Sequence, residues 1–111
     1  MIQISVPDKN DSLSRIVLSQ KEYLIRFCYN MTYDYWSFGL SDIEGTPIIG
    51  LLKIVPLSPL THFYRSVKLP DGIFGAITDR NHIGRNDFLN GNAQFLYIPW
   101  EEVGELEVGV L

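Results

Sequence analysis

With 111 residues, 46% of them hydrophobic and 13% aromatic, the chain can build one domain around one core, but not a cleft between two domains. Its formal charge of −4 lies at the end: "EEVGELEVGVL" holds four of the 13 acidic residues, leaving nine against nine Lys and Arg in residues 1–100. No run of Lys and Arg offsets this balance, so sequence-independent nucleic-acid binding is not expected, because phosphate contacts draw their affinity from released counterions.

The opening "MIQISVPDKN" turns polar after Val6, too early for the apolar core of a signal peptide, and no apolar run approaches the ~18 residues of a membrane span. No membrane partner is expected, and synthesis in a cytoplasm is. The sequons at Asn10 and Asn30 then read as coincidences of a short pattern. Cys28 is the lone cysteine, which excludes an internal disulfide and every Cys-pair zinc pattern; it reads as a small buried hydrophobe.

Alternation governs the chain from its start. Ile2, Ile4 and Val6 share one side of an extended segment closed by Pro7-Asp8. "SRIVLSQKEYLIRFCY" holds two strands with a polar break at Ser19-Gln20-Lys21; in the second, Tyr23, Ile25, Phe27 and Tyr29 fall on one face, Glu22 and Arg26 on the other. After "NMTYD", the segment "YWSFGLS" points Trp36, Phe38 and Leu40 inward, as the partner strand of a hairpin would.

"DIEGTP" is the next turn. "IIGLLKIV", Ile48 to Val55, is apolar at nearly every position, which predicts a strand covered on both faces, with Pro47 tolerated at its start and Gly50 at a bulge or bend. "PLSPLTHFYRSVKLPDG" reads as irregular or edge structure, and "IFGAITD" and "AQFLYIP" as the last strands. No segment keeps a 3.6-residue apolar period long enough for a helix. The predicted fold is all-β: a single small antiparallel β-barrel or β-sandwich of about seven short strands, spanning 1–100. The acidic tail 101–111 alternates Val103, Leu106, Val108 and Val110 with polar residues, so it reads as an additional strand or an arm that orders against a partner.

The densest polar stretch is "ITDRNHIGRNDF", Ile77 to Phe88, which suits a catalytic loop and a surface connection equally well. His62 and His82 are twenty residues apart with no ligand spacing around them, so no metal site is expected, His82, Asp79 and Asp87 included. No Gly-x-Ser-x-Gly elbow activates a serine, and carboxylate pairs drawn from Asp79, Asp87 and the tail lack rigid placement. Glycines are scattered singly, not gathered into a phosphate cradle, and Pro56-Leu-Ser-Pro59 reads as a corner between strands. No catalytic, cofactor-binding or metal residue is assigned, and no enzyme is expected.

Tyr23, Tyr29, Tyr33, Tyr35 and Trp36 would suit a stacking platform for single-stranded nucleic acid in an OB-like barrel, but the cations that track phosphate are missing. The inward members belong to the core. Tyr33 and Tyr35, at the hairpin end or outer face, suit a protein interface.

The order of motifs resembles the baseplate plug family of contractile-tailed bacteriophages, first described for a cyanophage, from about Ile16 to Pro99. "YWSFGLSDIEGTPIIG" matches its Trp-bearing strand and Asp-x-x-Gly-Thr-Pro turn through Trp36, Leu40, Asp42, Gly45, Pro47 and Gly50. "LTHFYRSVKLPDGIFGAI" matches a Leu-x-x-Tyr-Arg element and Leu-Pro-x-Gly through Leu60, Tyr64, Arg65, Leu69, Pro70 and Gly72. "RNDFLNGNAQFLYIP" matches the last loop and strand through Arg85, Asp87 and Tyr97; Asn86 and Phe88 depart from the family's Asp and Leu, and extra residues precede Gln94.

The resemblance implies a structural, non-enzymatic component of the virion tail baseplate, from a phage or prophage, made in the bacterial cytoplasm. It would bind tube and hub subunits and form a homo-oligomer in the assembled tail, without cofactors. Tyr33, Tyr35, Val103, Leu106, Val108 and Val110 are the candidate interface residues. The alternative is a small OB-like or SH3-like binding module for nucleic acid or peptide.

Overall fold

The two-residue periodicity becomes two antiparallel sheets. The computed structural model describes residues 2–56 and 70–102. Within them run β1 (Ile2–Ile4), β2 (Asp11–Leu18), β3 (Lys21–Asn30), β4 (Tyr35–Ser41), β5 (Pro47–Lys53), β6 (Gly72–Thr78) and β7 (Ala93–Pro99). One sheet is the meander β2-β3-β4-β5; the other has the order β1-β7-β6, which brings the first and last strands of the chain side by side. Every pairing is antiparallel. The sheets pack face to face without closing into a barrel among the described residues, so the all-β expectation takes the form of a sandwich.

Alternation places the core. In β3 and β4 it turns Tyr23, Ile25 and Phe27 toward the same side as Trp36, Phe38 and Leu40, and the register sets Ile25 opposite Leu40, Phe27 opposite Phe38 and Tyr29 opposite Trp36. The first six are at most 2% exposed. From the other sheet, Phe74, Phe95 and Tyr97 meet them: the rings of Phe38 and Phe95 lie 5.0 Å apart, those of Phe38 and Phe74 5.1 Å, and those of Phe27 and Phe95 5.3 Å at an edge-on 89°. Such offset and edge-to-face pairs contribute about 0.5 to 1.5 kcal/mol each beyond the area they bury. On the opposite face of β6 and β7, Ile73, Leu96 and Ile98 form a second, smaller buried cluster.

The connections follow local chemistry. The β2–β3 turn is the two-residue kind whose twist matches the strands, with both Ser19 (φ 49°) and Gln20 (φ 68°) left-handed. In the β4–β5 turn, Asp42 Oδ1 accepts the backbone N–H of Glu44 and of Thr46, while Gly45 takes the positive φ of 92°. β7 ends at Pro99, and the chain turns helical at Trp100 through Glu102 instead of continuing as a strand; the rest of the tail lies outside the described residues.

Three expectations change. β5 is an edge strand, not one covered on both faces: Ile49 is buried within it, but Leu51 is 51% exposed. Its two register shifts against β4 are bulges, one of them beside Gly50, and they turn its apolar run partly outward. β1 ends at Ile4 instead of running on to Val6; Ile4 is buried, Ile2 is 42% exposed and Val6 is half-buried against the core. Cys28 lies on the outer face of β3, half-buried, its thiol 3.4 Å from Asp11 Oδ1. Most of the stretch read as irregular, including His62, falls outside the described residues.

Candidate functional site

The polar stretch belongs to the β6–β7 connection, residues 79–92, and its side chains are spent on holding that connection in place. Asp87 is its centre. Oδ2 accepts the backbone N–H of Gly84 at 2.6 Å, and Oδ1 accepts Arg80 Nη1 at 3.3 Å and Asn92 Nδ2 at 3.4 Å. The Asp87 side chain is only 13% exposed, so these donors replace the water its carboxylate has lost. The strand ends are tied as well: Thr78 Oγ1 donates to the Asn92 carbonyl at 2.7 Å and accepts the Arg80 N–H.

The loop then docks on its neighbours. Trp36 Nε1 donates to the Gly84 carbonyl at 3.2 Å, Ile83 is buried in the core, and Phe88 meets the Trp36 ring edge-on at 6.0 Å. Arg85 reaches the β1–β2 connection, with Nε bonded to Asn10 Oδ1 at 2.7 Å and Nη1 paired with Asp8 Oδ1 at 3.0 Å. Its guanidinium also stacks over the rings of Trp36 and Tyr29. His82 Nε2 lies 2.9 Å from Asp34 Oδ2 on the β3–β4 hairpin, and Tyr29 donates its hydroxyl to the other Asp34 oxygen. That hydroxyl, and after it His82, hold the Asp34 carboxyl below the usual carboxylate range.

Three connections thus form one hydrogen-bonded end of the sandwich. The arrangement contains neither an activated nucleophile nor carboxylates paired around open space: Asp79 is exposed, and Asp87 and His82 bond to different partners. Among the described residues no group of three or more His, Cys, Asp or Glu could hold a metal ion. The polar stretch is thus a hydrogen-bonded connection, and the residues that order it, Asp8, Asn10, Tyr29 and Asp34, come from segments that sequence reading left unlinked. A short polar loop gives no signal of which distant loop it will meet.

The expected interface residues separate. Tyr33 stands at the hairpin tip, 77% exposed beside Met31 at 73%, and forms an apolar point at the end of the molecule. Tyr35 is half-buried on the outer face, with Lys53 Nζ 5.0 Å above its ring and Asn30 Nδ2 3.4 Å from its hydroxyl. Tyr23 and Trp36 are in the core, so the five aromatic residues make no common platform. Val103, Leu106, Val108 and Val110 lie outside the described residues.

Residues that carried the sequence resemblance do come together. Trp36, Arg85 and Asp87 meet in the loop cluster, and Gly72 lies directly under Tyr97, where a Cβ would stand 2.6 Å from its ring. No curated protein matches the chain. A family model described as the cyanophage baseplate Pam3 plug gp18 matches residues 1–101, a span that holds all seven strands and the whole loop cluster, and the chain belongs to this family of baseplate plug proteins.

Proposed function

We propose that the protein is a structural subunit of a contractile-tail baseplate that works by occupying a position between neighbouring subunits, tube and hub proteins among them, and not by turnover. The observation that carries this reading is the family match over residues 1–101. The geometry agrees with it. The groups around Asp87 and Arg85 are engaged in internal bonds, while exposed apolar side chains stand at the hairpin tip (Met31, Tyr33) and on the outer face and edges of the four-stranded sheet (Leu13, Val17, Leu51). Exposed apolar and aromatic anchors of this kind serve recognition.

Tyr33 and the alternating apolar residues of the tail, Val103, Leu106, Val108 and Val110, are the proposed contacts with other tail proteins, and copies of the chain meet in the assembled tail. Mass spectrometry of purified tails tests this: the protein should co-purify in a fixed ratio with tube and hub proteins. Deleting 102–111, or Tyr33→Ala, should lower its incorporation while the purified variant keeps its unfolding midpoint. Tails that lack the wild-type protein would overturn the reading.

A further inference from the structure

We propose that strand β2 is a pairing edge for β2 of a second copy of this chain, antiparallel and centred on Leu13; the proposal deepens the homo-oligomer part of the reading above. Among the described residues the sandwich has four strand edges. β1 is three residues long. β5 starts at Pro47, ends at Lys53 and is bulged twice. β6 is buried at every residue but Ile77. Shortness, proline, lysine, bulges and cover are the devices by which proteins keep an edge from pairing. β2 is eight residues in unbroken register with β3, without proline, lysine or bulge and mostly exposed, and its two charges, Asp11 and Arg15, are of opposite sign.

Its backbone groups point the right way. Tyr29 N–H donates to the Asn10 carbonyl at 2.7 Å, one step beyond the Asp11–Cys28 pair, which makes Asn10–Tyr29 a bonded position and Asp11–Cys28 a non-bonded one. Because bonded and non-bonded pairs alternate in an antiparallel ladder, Ser12, Ser14, Ile16 and Leu18 bond to β3, and Asp11, Leu13, Arg15 and Val17 direct N–H and C=O to the free edge. Among the described residues nothing meets those groups. The same four side chains lie on the outer face, with Leu13 62% and Val17 57% exposed.

The side chains select the register and the partner. A two-fold pairing centred on Arg15 would set two guanidiniums opposite each other, and one centred on Ser14 would set Leu13 against Arg15 and Asp11 against Val17. Centred on Leu13, the strand sets leucine against leucine and Asp11 against Arg15 twice, the arrangement that cross-strand energetics favour. Asp11 is already fixed on that face by Arg26, with bonds of 3.0 and 2.8 Å. An acid, a leucine and a base at alternate positions form a self-complementary pattern, which an isologous contact needs and an unrelated strand would not.

The test is a register-specific crosslink. Residues opposite each other in a bonded pair have Cα atoms about 5.5 Å apart, within the ~4.4 to 6.8 Å range of disulfides. In a Cys28→Ser background, Leu13→Cys should oxidise to a covalent dimer and Val17→Cys should stay monomeric. Wild-type protein should sediment as a reversible dimer, and Arg15→Asp should weaken the association about tenfold with unchanged circular dichroism and thermal midpoint. Equal crosslinking at both positions, preferential crosslinking through Ser14→Cys, or a wild type that stays monomeric at every concentration would overturn the proposal. A monomer that is still found in purified tails sinks the self-pairing alone, whereas absence from tails sinks the baseplate reading whatever the crosslink shows.

Discussion

Trp36 Nε1 donates to the Gly84 carbonyl at 3.2 Å, so one side chain of β4 both fills the core and satisfies the backbone of the loop that closes the sandwich end. Trp36→Ala removes both roles and should destabilise by about 3 to 5 kcal/mol on denaturant unfolding. Trp36→Phe keeps most of the apolar contact and removes one of the two hydrogen bonds at the carbonyl, which still accepts the Asp87 N–H at 3.2 Å, and should cost about 0.5 to 1.5 kcal/mol. A Trp36→Ala change under ~1 kcal/mol would mean that the indole is not part of the core.

Gly72 leaves no room for a side chain. A Cβ built there would stand 2.5 Å from the Ile98 carbonyl oxygen and 2.6 Å from Tyr97 Cζ, and neither can retreat: one is ladder backbone, the other a ring wholly buried whose hydroxyl bonds Ser19 Oγ at 2.7 Å. Gly72→Ala should therefore cost at least ~2 kcal/mol, toward the upper end of overpacking effects. Gly50→Ala, with open space around its Cα, provides the contrast and should change stability by less than ~1 kcal/mol. Equal unfolding midpoints for the two variants would contradict the packing described.

Removing the Asp87 carboxylate should loosen the loop more than any other single polar change in it. Asp87→Ala leaves the Gly84 N–H without its acceptor and should cost about 2 to 4 kcal/mol, with Asp87→Asn milder because one oxygen remains. Amide hydrogen exchange localises the effect: Gly84 and Ala93 should lose protection while β3 and β4 keep theirs.

The acid limb of stability should carry the mark of Asp11. Its hydrogen bonds from Arg26 and then Cys28 bring the carboxyl from an ordinary 3.8 to about 2. A depressed folded value means that the unfolded chain takes up the proton first. The stabilisation is then fully present above about pH 4 and is lost as pH falls through about 2. Asp11→Asn should flatten the stability curve within that window at low salt, and added salt should shrink the difference because the pair is exposed. An unchanged curve would show that Arg26 does not hold Asp11 in solution.

The sequence by itself determined what depends on short-range alternation: seven strands, the inward rows Tyr23-Ile25-Phe27 and Trp36-Phe38-Leu40, and the turn at Asp42 to Thr46, because each follows from residues within a few positions of one another; the family was legible in the order of motifs along the chain. Tertiary structure alone decided what depends on which distant elements meet. Nothing local announces that β1 pairs with β7 ninety residues on, that β5 with its apolar run is an edge, or that Asp34 and His82 face each other across loops. An apolar strand is compatible with a centre or an edge, since the pattern records the faces of a strand and not its flanks. The loop 79–92 shows the same division. Its polarity was legible, but whether those groups face solvent, a ligand or one another depends on where the ends of two sheets bring them, and here they are turned inward onto Asp87 and Gly84.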